Sequence, residues 1–332
     1  MSKIIRIGTR DSNLALWQAK NVQSQLEHLG YKTALVPIKS TGDLVLNQPI
    51  YELGITGVFT RTLDVALINE EVDIAVHSLK DVPTKLPHGV VQAAVLKRGN
   101  IRDTLVFKNN EEFLAQKEAV IATGSLRRQA QWLNRYPTHT TVGIRGNVNT
   151  RLQKLEDSDW NGAIFAAAGL ERLGKRDKGA IPLTWMIPAP GQGAIMITAL
   201  EEDDFVIDAC EQLNHHETKV CVGIEREFLH LLEGGCTAPI GALAYVDEKT
   251  EEINFKGVLL KRDGSKKITV NKTAKIGSHR YLAKDCVDYV INRGGKELIS
   301  EDKEIAVKLA TVYSTKKLSE LQKEKVSPAI GV

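Results

Sequence analysis

The chain has 332 residues, too many for one ordinary domain, and its 42% apolar content supports two or three buried cores, with aromatics at only 5%. Its 44 basic and 41 acidic residues leave a net charge of +3, so no global field marks a nucleic-acid binder and any basic function must come from local clustering. No apolar run is long enough to span a bilayer, and Met1–Arg6 leads into a short strand rather than a secretory leader; a cytoplasmic protein without membrane or nucleic-acid partners is expected.

Strands and helices alternate from the start. Ile4–Gly8 reads as a strand, and Ser12 caps a helix whose inner face carries Ala15, Ala19, Val22 and Leu26 before Gly30 ends it. Strand-like runs follow at Thr33–Ile38, Asp73–His77 and Val90–Leu96, with a helix near Thr60–Asn69. A second set opens near Ile101: strand Val120–Ala122, helix Leu126–Tyr136, strand Thr140–Ile144, helix Val148–Glu156 and strand Ala163–Ala167. Both sets open alike. Ile7-Gly8-Thr9-Arg10-Asp11-Ser12 precedes a helix with Trp17, and Ile121-Ala122-Thr123-Gly124-Ser125 precedes one with Trp132. The pattern predicts two similar doubly wound α/β domains, each with a mainly parallel sheet covered on both faces.

Pro188-Ala189-Pro190-Gly191-Gln192-Gly193 reads as a hinge-like crossing, after which strand Ala194–Leu200 returns to the first domain. Helices near Phe205–Leu213 and Lys219–Leu232 lead to strands Ile240–Val246, Ile253–Leu260 and Lys267–Thr273 and a helix near Ser278–Asn292, a small α+β unit. The expected division is 1–98 plus 194–216 for the first α/β domain, 99–193 for the second, 217–302 for the α+β domain and 303–332 for a C-terminal extension, in which Ile305–Tyr313 has strand character.

Three segments concentrate chemistry. Seven arginines (Arg127, Arg128, Arg135, Arg145, Arg151, Arg172 and Arg176) fall within one stretch, several at strand ends or helix starts, where an open α/β sheet places its ligand crevice. Arg127, Arg128, Arg145 and Arg151 there suit carboxylates or phosphates, whereas Arg135 and Arg176 read as a solvated basic face. Lys80 and Asp81 close the run Asp73–His77 ahead of Pro83, giving a cation and a carboxylate at one strand end. Cys236 follows Gly234-Gly235 and precedes Pro239, a loop setting suited to a nucleophile or attachment point, while Cys210, Cys221 and Cys286 sit in apolar helix-like patterns. His215-His216 are adjacent rather than spaced for one ion, and no metal site is expected. Two lobes around an anion-binding cleft would equally suit a solute-binding protein, which would need neither Cys236 nor a cytoplasmic location.

Taken together, these segments resemble the porphobilinogen deaminase, or hydroxymethylbilane synthase, family. The matching runs include Gly8-Thr9-Arg10-Asp11-Ser12-Asn13-Leu14-Ala15, His77-Ser78-Leu79-Lys80-Asp81-Val82-Pro83, Gly124-Ser125-Leu126-Arg127-Arg128, Arg145-Gly146-Asn147-Val148-Asn149-Thr150-Arg151, Ala168-Gly169-Leu170-Glu171-Arg172-Leu173, Gly191-Gln192-Gly193-Ala194 and Glu233-Gly234-Gly235-Cys236. The resemblance implies a periplasmic-binding-protein-like pair of domains with the third carrying the cysteine. It implies a transferase that joins four porphobilinogens into linear hydroxymethylbilane with release of ammonia, in haem biosynthesis, as a monomer. The chain would grow from a dipyrromethane cofactor held by a thioether to Cys236. Asp81 would be the catalytic carboxylate, and Arg10, Ser12, Lys80, Thr123, Ser125, Arg127, Arg128, Arg145, Gly146, Arg151, Arg172 and Gln192 would join it in binding cofactor and substrate. Two departures stand out: Thr56 replaces a usual lysine, with Arg61 nearby to compensate. Ala310–Lys317 also resembles the opening strand of a uroporphyrinogen III synthase, implying a functional link to that enzyme.

Overall fold

Local rules account for the first helix and the sheet that it covers. The computed structural model describes residues 3–39, 60–175, 179–232, 238–305 and 307–308. After β1 (Ile4–Arg10), the Ser12 hydroxyl accepts from Ala15 N at 3.4 Å and opens α1 (Asn13–His28). Ala15, Ala19, Val22 and Leu26 recur on one face and are buried against the sheet. The chain continues through β2 (Lys32–Ile38), α2 (Arg61–Ile68), β3 (Ile74–Ser78) and β4 (Val90–Val95).

The second layered unit contains β5 (Asp103–Phe107), β6 (Val120–Ala122), α3 (Leu126–Arg135), β7 (Thr140–Val142), α4 (Val148–Glu156), β8 (Gly162–Ala166), α5 (Ala167–Arg172) and β9 (Ala180–Pro182). Then come β10 (Ile195–Leu200), α6 (Asp204–Glu211) and α7 (His216–Leu231). The strands β11 (Ile240–Asp247), β12 (Glu252–Leu260) and β13 (Lys267–Lys275) and the helix α8 (Leu282–Val290) complete the named elements.

The first two sheets repeat one topology. Their strand orders are β2-β1-β3-β10-β4 and β7-β6-β8-β5-β9. In the first, β1 runs parallel to β2 and β3, and β10 runs antiparallel between β3 and β4. In the second, β6 runs parallel to β7 and β8, and β5 runs antiparallel between β8 and β9. The two α/β lobes are therefore equivalent, as the shared Thr/Ser openings predict, and each sheet is mainly parallel, with four strands pointing one way and a single strand, β10 or β5, reversed. The reversal comes from the crossings: the strand entering each lobe from the other arrives antiparallel, β5 on the outward path and β10 on the return. Strands β5 and β9 escape sequence reading because a charged residue opens the first and the second is three residues ending in proline.

The crossings run side by side. Leu96 N donates to Ile195 O at 3.0 Å and Gly99 N to Gly193 O at 3.1 Å. Gly193 has φ 89°, and a Cβ there would lie 2.9 Å from the carbonyl oxygens of Gly99 and Asn100, so the close approach requires glycine. The third sheet is an antiparallel meander, β11-β12-β13, covered by α7 and α8 through Ile224, Phe228, Phe255, Cys286 and Val290. The helix expected over Ser278–Asn292 starts later, at Leu282, and leaves regular geometry after Val290. Within the expected strand Ile305–Tyr313, Ile305, Val307 and Lys308 are helical, continuing a helix over 296–305; the rest of that segment lies outside the described residues.

A buried ion pair joins the crossings to the third domain. Arg98 Nη1 and Nη2 donate to Glu225 Oε1 and Oε2 at 2.6 and 2.9 Å, with the carboxylate fully buried. Glu225 also accepts from Gly191 N and Ala244 N, each at 2.7 Å, and Arg98 Nε donates to Gln192 O at 2.9 Å. Removing one partner leaves the other charge buried and unpaired. Glu225→Gln is therefore expected to lower unfolding stability by about 3 kcal/mol in urea titration, and a loss below about 1 kcal/mol would show that the pair does not hold this junction.

Candidate functional site

The carboxyl ends of the parallel strands gather the chemical groups. Arg10 ends β1, and Ser12 caps α1 beside it. Ser78 ends β3, and a single 3-10 turn, Leu79–Asp81, carries Lys80 and Asp81. Arg10, Ser12 and Asp81 line one cleft with Gln18, Thr60, His77 and Ser78.

The second lobe contributes in the same way. Ser125 caps α3 through Arg128 N at 3.5 Å, and Thr123 Oγ1 accepts from Ser125 N at 3.2 Å. Asn147 caps α4 through Thr150 N at 3.0 Å. Arg151 Nε donates to Gly146 O at 2.7 Å, and Lys154 Nζ to Arg145 O at 3.2 Å, which stiffens the loop holding Arg145 and Gly146.

A fully buried carboxylate organises the interior of this group. Asp103 accepts from Arg127 Nη1 at 2.7 Å, Arg128 Nε at 2.9 Å and Gln192 Nε2 at 3.0 Å. Arg127 also donates to Ile187 O and Arg128 to Ile164 O, at 2.7 and 2.8 Å. Gln192 reaches Ile101 O at 2.9 Å and accepts from Lys80 Nζ at 3.4 Å. Thus Lys80 of the first lobe is tied through the return crossing to the arginines of the second. Burial would raise the Asp103 carboxyl, but the adjacent Arg127 and Arg128 outweigh it and hold the group well below the usual carboxylate range.

Burial and neighbouring cations disfavour the charge on Lys80 and Arg151. Burial, reinforced by Arg128, lowers Lys80 to about 8 despite Asp81 and Asp103. Burial followed by Arg128 and Arg145 lowers Arg151 to about 10, with Asp81 opposing. These couplings bring Arg10, Lys80, Asp81, Arg127, Arg128, Arg145 and Arg151 into one field that an anion would relieve. Burial, followed by Arg10, pushes His77 down to about 4; its Nε2 lies 3.2 Å from Thr198 Oγ1, so it forms a neutral floor to the cleft.

Not every expected residue faces this space in the same way. Arg127 and Arg128 are buried on Asp103. Arg172 donates to Gly193 O at 2.7 Å and lies over the Trp17 ring at 5.6 Å, at the junction of the lobes. Cys236, with Glu233, Gly234 and Gly235, lies outside the described residues, as do Thr56 and Arg176; Arg61 is the first residue of α2. His215 caps α7, its Nδ1 accepting from Thr218 N at 3.2 Å. Asp103, Gln18 and His77 are missing from the sequence-based site. Gln18 left a signal: a polar residue on the buried face of α1 needs a partner, and its Nε2 donates to Ser78 Oγ at 2.8 Å.

In the unliganded protein, the Lys80 ammonium should titrate near 8. Because its folded value lies below the ordinary lysine value, the folded state releases the proton first, and stability rises with pH from about 8 toward 10.5. Lysine side-chain NMR, with Lys80→Met for assignment, would show this midpoint; an ordinary lysine midpoint would contradict it.

Comparison with known proteins places these features among relatives. Residues 5–208 match the family model described as "Porphobilinogen deaminase, dipyromethane cofactor binding domain", and residues 219–292 match the corresponding C-terminal domain. The chain is 38% identical over 312 residues to porphobilinogen deaminase of Campylobacter curvus, covering 92% of this chain and 99% of that one. It is 41% identical over 288 residues to the chloroplastic porphobilinogen deaminase of Oryza sativa, covering 84% and 79%. A solved periplasmic domain of Bordetella pertussis BvgS is 10% identical at a TM-score of 0.40, covering 65% of this chain and 91% of that one.

Proposed function

This chain belongs to the porphobilinogen deaminase family, and we propose that it joins four porphobilinogen molecules head to tail into linear hydroxymethylbilane. At each step the carbon–nitrogen bond of the substrate's aminomethyl group breaks, ammonia leaves, and a carbon–carbon bond forms at the end of the growing chain. Water would close the sequence by hydrolysing the bond that joins the first-added unit to the primer, its hydroxyl going to that unit's methylene carbon and its proton to the primer. A bound dipyrromethane supplies the primer from which that chain grows.

The observation that carries this reading is the field of cations around Asp81. Each pyrrole unit brings two carboxylates, and Lys80 and Arg151 hold their charge against burial and mutual repulsion until such anions arrive. Arg10 and Ser12 at the start of α1, and Arg145 and Gly146 before α4, fit the same demand. Arg127, Arg128, Arg172, Gln192, Thr123 and Ser125 support it from behind, fixing the strand ends and the junction between lobes. We assign Asp81 the reacting role: its carboxylate accepts pyrrole N–H groups and stabilises the cation left when ammonia departs. Cys236 is the proposed thioether attachment point. Cys210, Cys221 and Cys286 are poor candidates because burial pushes each thiol up to about 12.

The same reading makes the protein a cytoplasmic monomer; no described helix is long and apolar enough to cross a membrane. Residues 303–332 remain a proposed contact with a uroporphyrinogen III synthase, tested by whether their removal abolishes association of the two proteins.

Mass spectrometry of the intact protein should reveal a covalent adduct of dipyrromethane mass that disappears in Cys236→Ser. An unmodified chain with normal turnover would refute the tether. Asp81→Asn should keep its fold and its adduct while turnover falls by about 100-fold or more, the contribution typical of a positioned acid–base group; wild-type turnover would remove Asp81 from the mechanism.

A further inference from the structure

Helix α7 serves three partners with three stripes of side chains. Cys221, Ile224 and Phe228 pack on its own sheet, while Thr218 and Glu225 hold Arg98 at the crossing. Val222, Arg226 and His230, spaced four residues apart, lie along the segment that carries Asp81. Val222 is buried with Leu79 and Val82, on either side of Lys80 and Asp81. Arg226 Nη1 donates to Val82 O at 2.9 Å and Nη2 to Pro83 O at 2.7 Å. His230 Nδ1 lies 3.3 Å from Thr84 Oγ1.

The turn needs such help. Leu79–Asp81 is one turn of 3-10 helix, closed by a single bond from Val82 N to Leu79 O at 3.1 Å, and Pro83 has no N–H to add another. Its front end is held from the hinge side: Leu79 N donates to Ala194 O at 3.1 Å. Gly191, with φ 74°, packs so closely that a Cβ there would lie 2.9 Å from Leu79 Cγ. Its rear end is held by Arg226, whose planar fork meets two successive carbonyls. The half-buried guanidinium loses part of its charge preference to burial, so it depends on those carbonyls in turn.

We propose that Arg226 is a positioning residue for Asp81, through which the third domain fixes the reacting carboxylate relative to the cleft. This rests on the reading of Asp81 given above. Arg226 touches no reacting atom; it acts by locking the carbonyls of Val82 and Pro83 that follow the turn.

The test is a double-mutant cycle in the holoenzyme. Arg226→Met removes both donors, and kcat is expected to fall on the order of 10- to 100-fold, as a misplacement of about 1 Å can produce, while KM changes by less than about threefold. Arg226→Lys, retaining charge and one donor group, should recover part of that loss. In Asp81→Asn, the same Arg226→Met change should lower the residual rate no further, read as single-turnover substrate addition by mass spectrometry. An equal loss in both backgrounds would assign Arg226 a merely structural role and overturn the proposal, as would wild-type kcat in Arg226→Met. If Arg226→Met fails to fold, Arg226→Lys takes its place in the cycle with the same two outcomes. Wild-type turnover in Asp81→Asn alone is a separate result: it removes the Asp81 reading, and this proposal with it.

Discussion

One fully buried carboxylate holds together cations that would otherwise repel. Arg127 and Arg128 are consecutive at the start of a helix, so their side chains leave the axis in different directions, and a single Asp103 lies where both can reach it. Each guanidinium finishes on a carbonyl of its own lobe, leaving the carboxylate saturated and dry. A buried charge of this kind is tolerable only when paired and hydrogen-bonded throughout. Asp103 opens β5, the strand that delivers the chain into the second lobe, so the charge balance of the site and the topology of the fold meet at one residue.

From Asp103 the network passes to the first lobe through Gln192. That side chain has no exposure and connects the carboxylate, the outward crossing at Ile101 and the ammonium of Lys80. Its own carbonyl is held by Arg98, and Arg98 by Glu225 of α7. A continuous polar chain therefore joins both lobes and the third domain at the place where two backbone segments cross. The third domain is thus more than an appendage: α7 braces the crossings with Glu225 and the Asp81 segment with the adjacent Arg226. The reaction proposed for this chain would need cationic walls and a carboxylate held at a fixed point, and these contacts hold the segment that bears Asp81.

Much of this was legible in the chain. Ser12 and Ser125 announced two helix starts by their capping chemistry, and the four-residue spacing of Ala15 and Ala19, continued by Val22 and Leu26, announced which face was buried. Lys80 and Asp81 stood out as a charged pair ending a buried strand. Strands β5 and β9 did not stand out, because β9 is short and β5 gains its neighbours from β8 and β9, far along the chain. Arg127 and Arg128 were expected at a strand end or helix start and lie in the first turn of α3. What the chain did not announce is that Arg127 and Arg128 share Asp103, because that partner lies more than twenty residues earlier and signals nothing by itself.

By itself, then, the sequence determined the local segments: which runs are strands or helices, where helices begin, and which motifs tie the chain to its family. These depend on backbone preferences, capping and periodicity over a few residues. Only the tertiary structure decided which charges meet which, that Gln192 bridges the lobes, and that Arg226 holds the turn bearing Asp81. The contacts of Gln192 with Asp103 and Lys80 and of Arg226 with Val82 and Pro83 join residues between 89 and 144 positions apart. Pairings of that kind depend on how separate elements pack, and no local propensity encodes them.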